Sequence, residues 1–200
     1  MNDYYDTNAA SYIEETGDLD MSFFANRFLQ SVPTGGTILD AGCGSGRDAL
    51  FFHEKGYRVT AFDSSKELVR LASQWTKLSI EHRSFHKMSE CDEYDGIWAS
   101  ASLLHLNRDE LPTVFSLLCR ALKEHGVLYA SFKMGQSFKR EGLLYTSFTT
   151  DEFRSFIRNE TSFIIDEMII TEDARAHRKG EYWLNAFLRK MSPCFINDHR

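Results

Sequence analysis

The stretch Thr37-Ile38-Leu39-Asp40-Ala41-Gly42-Cys43-Gly44-Ser45-Gly46-Arg47-Asp48 decides the fold. Residues 37–41 read as a short buried strand that runs directly into glycines. Glycine at every second position from Gly42 to Gly46 lets the main chain turn sharply and approach a ligand where a Cβ would collide. Ser45 is the expected N-cap of a helix over 47–55, with Ala49, Leu50 and Phe52 apolar and Gly56 as its stop. A helix beginning there points its unpaired amides at the turn, where they suit a carboxylate or a phosphate.

The same alternation continues outward. Residues 57–63 (YRVTAFD) form a second expected strand ending on an acid, Asp63. Ser64-Ser65-Lys66-Glu67 has the form of a capping box, before Leu68, Leu71, Ala72 and Trp75 at helical spacing. Residues 78–83 and 94–100 give a third and a fourth strand. Asn107 to Glu110 make another capping box, ahead of an amphipathic helix that Gly126 is expected to end. Residues 127–132 are the fifth strand, and 133–148 read as a long polar loop able to form a ligand wall, with Lys139 and Arg140 available to an anion. Thr149-Thr150-Asp151-Glu152 opens a helix carrying Phe153, Phe156 and Ile157. Residues 163–170 and 182–188 close the chain as an antiparallel strand pair, and 1–30 are mainly helical.

Seven strands interleaved with helices predict an α/β fold, doubly wound, with a mostly parallel sheet and helices on both faces. With no repeat and no linker, residues 1–200 are expected to form one domain. Ligands in such sheets bind beyond the carboxyl ends of the strands, which places loop 41–46 at the site.

Composition narrows the partners. A net charge of −6 argues against nucleic acid or an anionic membrane surface, since either favours a basic face. Cys43, Cys91, Cys119 and Cys194 form no CxxC pair, so neither a metal site nor a disulfide scaffold is expected. The N-terminus lacks the basic and apolar regions of a signal peptide, and no apolar run approaches the roughly 20 residues of a membrane helix. These readings predict a soluble, cytoplasmic protein, monomeric or weakly homodimeric. Sixteen Phe, eight Tyr and three Trp are enough to wall an enclosed pocket.

The glycine spacing bears on the ligand. Nicotinamide dinucleotides use GxGxxG, whereas Gly42, Gly44 and Gly46 give GxGxG with Asp40 ahead of it. No Gly-Lys-Ser/Thr follows, so a P-loop is excluded. Asp63, about 20 residues on from the glycines, stands where a ribose diol finds its acceptor. The run Ile38-Leu39-Asp40-Ala41-Gly42-Cys43-Gly44-Ser45-Gly46, with an acid ending the next strand, resembles motif I of the class I S-adenosylmethionine-dependent methyltransferases. Residues 56–65, 94–105 and 126–133, with Trp183-Leu184-Asn185, are similar to the tellurite-resistance-type branch of that family, so the resemblance spans nearly the whole chain.

The resemblance implies a Rossmann-like enzyme that moves a methyl group from S-adenosyl-L-methionine to a small-molecule acceptor by in-line displacement. A donor-binding module of the same fold without turnover is the alternative. Within the turn, Ala41, Gly42, Cys43, Gly44 and Gly46 would meet the methionine part of the donor, Asp40 would organise that end, and Arg47 would help a carboxylate. Asp63 would bind the ribose, with Ser64 flanking the adenosine. Many relatives carry an acid after the third strand for the adenine amino group; Ser84 stands there instead, with Phe85 or Met88 to pack on the ring. Ala99 and Ser100 would line the methionine end, while Tyr12, with Tyr4 and Tyr5, would fold over the donor from the helical cover formed by residues 1–30. His105, just past the fourth strand, is the candidate general base, needed only when the nucleophile arrives protonated; a packing role is its competing reading. Trp98 and Trp183 are expected as core or pocket wall, with core favoured.

Overall fold

The computed structural model describes residues 4–191; the expectations for Met1 to Asp3 and for Cys194 fall outside them. Three helices, α1 (Tyr4–Thr7), α2 (Ala9–Thr16) and α3 (Ser22–Leu29), lead into β1 (Thr37–Ala41). There follow α4 (Arg47–Glu54), β2 (Arg58–Asp63), α5 (Lys66–Thr76), β3 (Ile80–His82), β4 (Tyr94–Ala99) and α6 (Leu111–Ala121). The remainder comprises β5 (Leu122–Met134), β6 (Phe138–Arg140), β7 (Leu143–Tyr145), β8 (Ser147–Phe148), α7 (Thr150–Glu160), β9 (Phe163–Glu172) and β10 (Tyr182–Lys190).

Seven strands lie in the order β3-β2-β1-β4-β5-β10-β9, and the two-residue β8 adds beside β5. Strands β1 to β5 pair in parallel, and β10 runs antiparallel to both of its neighbours. The doubly wound reading therefore holds, with β8 as an addition.

Side-chain alternation along the strands builds a core on each face. Ile38, Trp98 and Tyr129 point to one face and pack with Phe28 of α3 and Phe52 of α4. Leu39, Ile97 and Leu128 point to the other, under α6 and α7. Trp98 and Tyr129, partners across β4 and β5, stack with ring centroids 3.9 Å apart. Trp98 is thus a core residue, with its indole N–H donating to Asp48 at 2.8 Å.

Several local expectations are corrected. Gly46, not Ser45, caps α4, because its left-handed backbone at φ 77° makes the break from the turn. The N-cap of α5 is Ser65, one residue on from Ser64, and its hydroxyl accepts from the Leu68 amide. At α6 the box is only half formed: Glu110 reaches back to the Asn107 amide, but no side chain caps the helix start. Gly126 lies inside β5, since α6 stops at Ala121 and Leu122 already pairs with Tyr94. Residues 133–148 are not an open loop; β6 and β7 pair there as a small antiparallel hairpin. Thr149 and Glu152 do form the full capping box of α7.

Candidate functional site

The carboxyl ends of β1, β2 and β4 converge on the glycine turn. Gly42 takes φ 76°, and a Cβ there would stand 2.5 Å from the Ser102 Cβ. Gly44 takes φ 54°, and the space a side chain would need is filled by the Tyr12 ring at 3.1 Å. The amides of Gly42 and Cys43 both donate to the Phe62 carbonyl at 2.9 Å, tying the turn to β2.

Two cavities flank this turn. The larger, of about 280 Å³, is lined by Asp40, Gly42, Cys43 and Arg47 and by Met21, Phe24 and Trp183. The smaller, of about 80 Å³, is bounded by Gly44, Asp63, Ser64, Ser84 and Phe85. Tyr5, Tyr12, Gly42, Ala101 and His105 border both, so the tyrosine-bearing helices form the partition.

Asp40 is buried, and its Oδ2 has no hydrogen-bond partner. Burial, together with the nearby Asp48 carboxylate, pushes its pKa well above the carboxylate range. A buried acceptor without a donor, facing a cavity, suits a ligand that brings a cation or an N–H. Asp63 is also buried and is pushed upward by burial, against the pull of the main-chain amides around it. Its Oδ2 accepts from the Gly44 amide and its Oδ1 from the Ser65 amide, each at 2.9 Å. Of the carboxylate's four lone pairs, the surrounding amides leave at least one for a ligand hydroxyl.

Arg47 is engaged through three of its five N–H groups and borders the larger cavity. It grips Asp48 with Nε and Nη2 at 2.7 and 2.9 Å and donates from Nη1 to the Thr16 carbonyl at 2.8 Å. Burial disfavours its charge, but the bonds to Asp48 outweigh that and raise its pKa. Ser100 borders the larger cavity, whereas Ala41, Gly46 and Ala99 border neither. Ala41 and Ala99 are wholly buried in the sheet, and Gly46 packs against Ala72 and Thr76 of α5. At the smaller cavity the Phe85 ring meets Phe62 edge-on at 5.3 Å, while Met88 is buried away from it.

Tyr12 lies over Gly44, and burial raises its phenol to about 12. His105 borders both cavities: Nδ1 is 2.8 Å from the Leu144 carbonyl and Nε2 is 2.7 Å from the Tyr5 hydroxyl. Trp183 proves to be cavity wall, its N–H donating to Asp173 at 2.9 Å. Neither Lys139 nor Arg140 borders the larger cavity, and Arg140 is paired with Glu181 at 2.8 Å.

Sequence reasoning missed Asp48, Arg83, Ser102, Asp173 and Arg175. Asp48 carried one readable signal, an acid in the first turn of a helix. The 171–181 connection, which supplies Asp173 and Arg175, has no periodicity to read.

A glycine turn at a helix start, an acid before it and another acid ending the next strand define a nucleoside-binding α/β enzyme of the doubly wound class. Residues 38–126 match the family model of the methyltransferase domain. YqeM of Bacillus subtilis, whose name describes it as a methyltransferase, is 24% identical over 190 residues, 85% of this chain and 77% of that protein. TehB of Haemophilus influenzae, named as a probable S-adenosyl-L-methionine-dependent methyltransferase, is 26% identical over 44% of this chain and 31% of its own length. Among solved structures, 1,6-didemethyltoxoflavin-N1-methyltransferase of Burkholderia thailandensis shares the fold at TM-score 0.76. It is 22% identical and covers 95% of this chain and 84% of its own. Residues 38–126 thus carry a methyltransferase domain, and S-adenosylmethionine-dependent methyltransferases are among the proteins whose sequence and fold the chain resembles. Among the described residues, no helix is long and apolar enough to cross a membrane.

Proposed function

We propose that the protein transfers a methyl group from S-adenosyl-L-methionine to a small-molecule acceptor by in-line displacement. One observation carries this reading: the glycine turn lies between a buried carboxylate with one unpartnered oxygen in the larger cavity and a second buried carboxylate in the smaller. Asp40 suits the positively charged methionine end of the donor, and Asp63 suits its ribose diol. Ser64, Ser84 and Phe85 are then left to hold the adenine, by packing and hydroxyl contacts in place of an acid. The bound donor supplies a methyl group already activated on a sulfonium. The chain's own work is to align, to exclude water and to accept a proton where the acceptor carries one.

Helices α1 and α2 are assigned as a cover of the site, within one domain. Tyr4 donates to Glu141 at 2.6 Å, and Asp6 accepts from the Ser65 hydroxyl at 2.7 Å, which supports that assignment. The acceptor enters the larger cavity between Met21, Phe24, Tyr145 and Trp183, a wall sized for a small molecule. Free Cys43, Cys91 and Cys119 fit a reducing cytoplasm.

Calorimetry with S-adenosylmethionine and S-adenosylhomocysteine tests the cofactor assignment, and absence of binding overturns it. Asp63→Ala is expected to weaken binding by about 1–3 kcal/mol, the worth of a charged hydrogen bond. Unchanged affinity removes Asp63 from the ribose. Donor consumption over a panel of small nucleophiles separates an enzyme from a module that only binds.

A further inference from the structure

The contact between Tyr5 and His105 has a defined proton arrangement. The Leu144 carbonyl can only accept, so its 2.8 Å contact fixes a proton on His105 Nδ1. Nε2 is left with a lone pair, and the Tyr5 hydroxyl donates to it at 2.7 Å. The phenol oxygen still has lone pairs of its own, and both side chains border both cavities. Tyr5 is held in register from either side, by Tyr4 on Glu141 and by Asp6 on Ser65.

We propose that Tyr5 and His105 form a proton relay, and that the acceptor therefore arrives carrying a proton, as a hydroxyl, thiol or N–H group. This rests on the methyltransferase reading above. As the acceptor atom bonds to the methyl carbon, the methyl–sulfur bond breaks and its electron pair stays on sulfur. The acceptor's proton passes to the Tyr5 oxygen while the Tyr5 proton passes to His105 Nε2. The positive charge lost from the sulfonium reappears on the imidazolium, so atoms and charge balance. Tyr5 is the group that touches the acceptor, and His105 acts through it.

The surroundings suit a two-group device. Burial, with Tyr12 close by, pushes the Tyr5 phenol far up, so it does not hold a lasting negative charge and needs a partner. Burial pulls His105 below the usual imidazole value, against the Leu144 contact, so the ring is neutral and ready at pH 7. The titratable groups around the ring are Tyr5 from α1, Tyr12 stacked edge-on against Tyr5 from α2, and Tyr145 from β7 at 5.1 Å. Glu141 and Arg175 act on Tyr145 rather than on the imidazole. Packing alone explains a buried histidine, but not a lone pair aimed at a hydroxyl on the cavity boundary.

The relay is tested first without turnover, by nitrogen NMR of histidine-labelled protein. His105 is expected as the Nδ1–H tautomer with a depressed titration midpoint. Tyr5→Phe is expected to raise that midpoint, because it removes a donor to the neutral nitrogen. S-adenosylhomocysteine affinity, by calorimetry, is expected to stay within about twofold in Tyr5→Phe and His105→Gln. Turnover is then measured with phenols, amines and thiols, and with iodide, which has no proton to give up. Both variants are expected to lose roughly 10²- to 10⁴-fold in kcat on the protic acceptor and to lose the basic-group limb of its pH profile. Equal rates on the protic acceptor, an unmoved midpoint, or wild-type activity on iodide alone overturn the relay. Wild type that binds S-adenosylhomocysteine yet consumes donor with no protic acceptor also counts against it. Failure to bind S-adenosylhomocysteine at all instead overturns the underlying methyltransferase assignment.

Discussion

Lys133 Nζ lies 2.6 Å from Asp173 Oδ2, and each side chain is only 3% exposed. The pair joins the end of β5 to the connection after β9. Asp173 also takes two bonds from the Arg175 guanidinium, at 2.9 and 2.8 Å, and one from the Arg175 amide at 3.0 Å, beside the one from the Trp183 indole. Lys133 Nζ also lies 2.7 Å from Glu181 Oε2, so its removal takes a cation from two carboxylates, while Arg175 and Trp183 still hold Asp173. Lys133→Met is therefore expected to lower stability in denaturant melts by about 1–3 kcal/mol, less than a fully stranded buried charge costs, and no loss at all would show the site to be wetter than described.

The same carboxylate sets an acid limit. Burial alone would raise the Asp173 pKa, but the bonds from Arg175 and Lys133 outweigh it and hold the group well below the usual value. A carboxyl lower in the folded than in the unfolded chain stabilises above the unfolded value of about 3.9. That contribution fades as the pH falls below it toward the folded pKa. Melts between pH 7 and 3 are expected to show a steeper acid loss for wild type than for Asp173→Asn, and parallel curves would refute the assignment.

Asp40 has the opposite sign. Its folded pKa is raised, first by burial and then by Asp48, so its charge costs stability as the pH climbs through about 3.9 and beyond. Asp40→Asn is expected to melt higher than wild type at pH 7, with the gap closing in acid. The same variant is expected to bind the donor more weakly by about 1–3 kcal/mol, having given up a charged acceptor. Calorimetry and melts on one preparation read both, and a variant less stable at pH 7 would contradict the burial argument.

Gly42 and Gly56 separate conformation from space. Both have positive φ, 76° and 87°, but a Cβ at Gly56 meets nothing within 4 Å. Gly56→Ala is expected to cost only the left-handed penalty, about 1–2 kcal/mol. Gly42→Ala adds the collision with Ser102, on the order of 1–3 kcal/mol more, and distorts the turn. Equal melting temperatures for the two variants would mean that Ser102 moves aside freely.

Much of the sheet was readable because its strands are short, apolar and bounded by glycines, as at residues 37–46 and 57–63. Cap positions were less so: Ser64 and Ser65 are equally good acceptors, and only the path of β2 selects the second. The hairpin at 138–145 was missed because its strands are three residues each, too short for any period to show. For the site, Asp40, Gly42, Gly44 and Asp63, which border the two cavities, were singled out from local spacing. Asp173, Arg175 and the Tyr5–His105 contact depend on pieces 40 to 100 residues apart meeting in space, which no local pattern encodes.

Strand β10 carries a consequence for how the chain is made. It is the last described strand in the chain, yet it lies between β5 and β9, pairing with both along most of its length. During synthesis the half of the sheet that bears the glycine turn can close early, while β5 presents a bare apolar edge until residues 182–190 have left the ribosome. A chain lacking residues 182–190 would therefore leave the apolar edge of β5 open, and β10 is the strand that covers it.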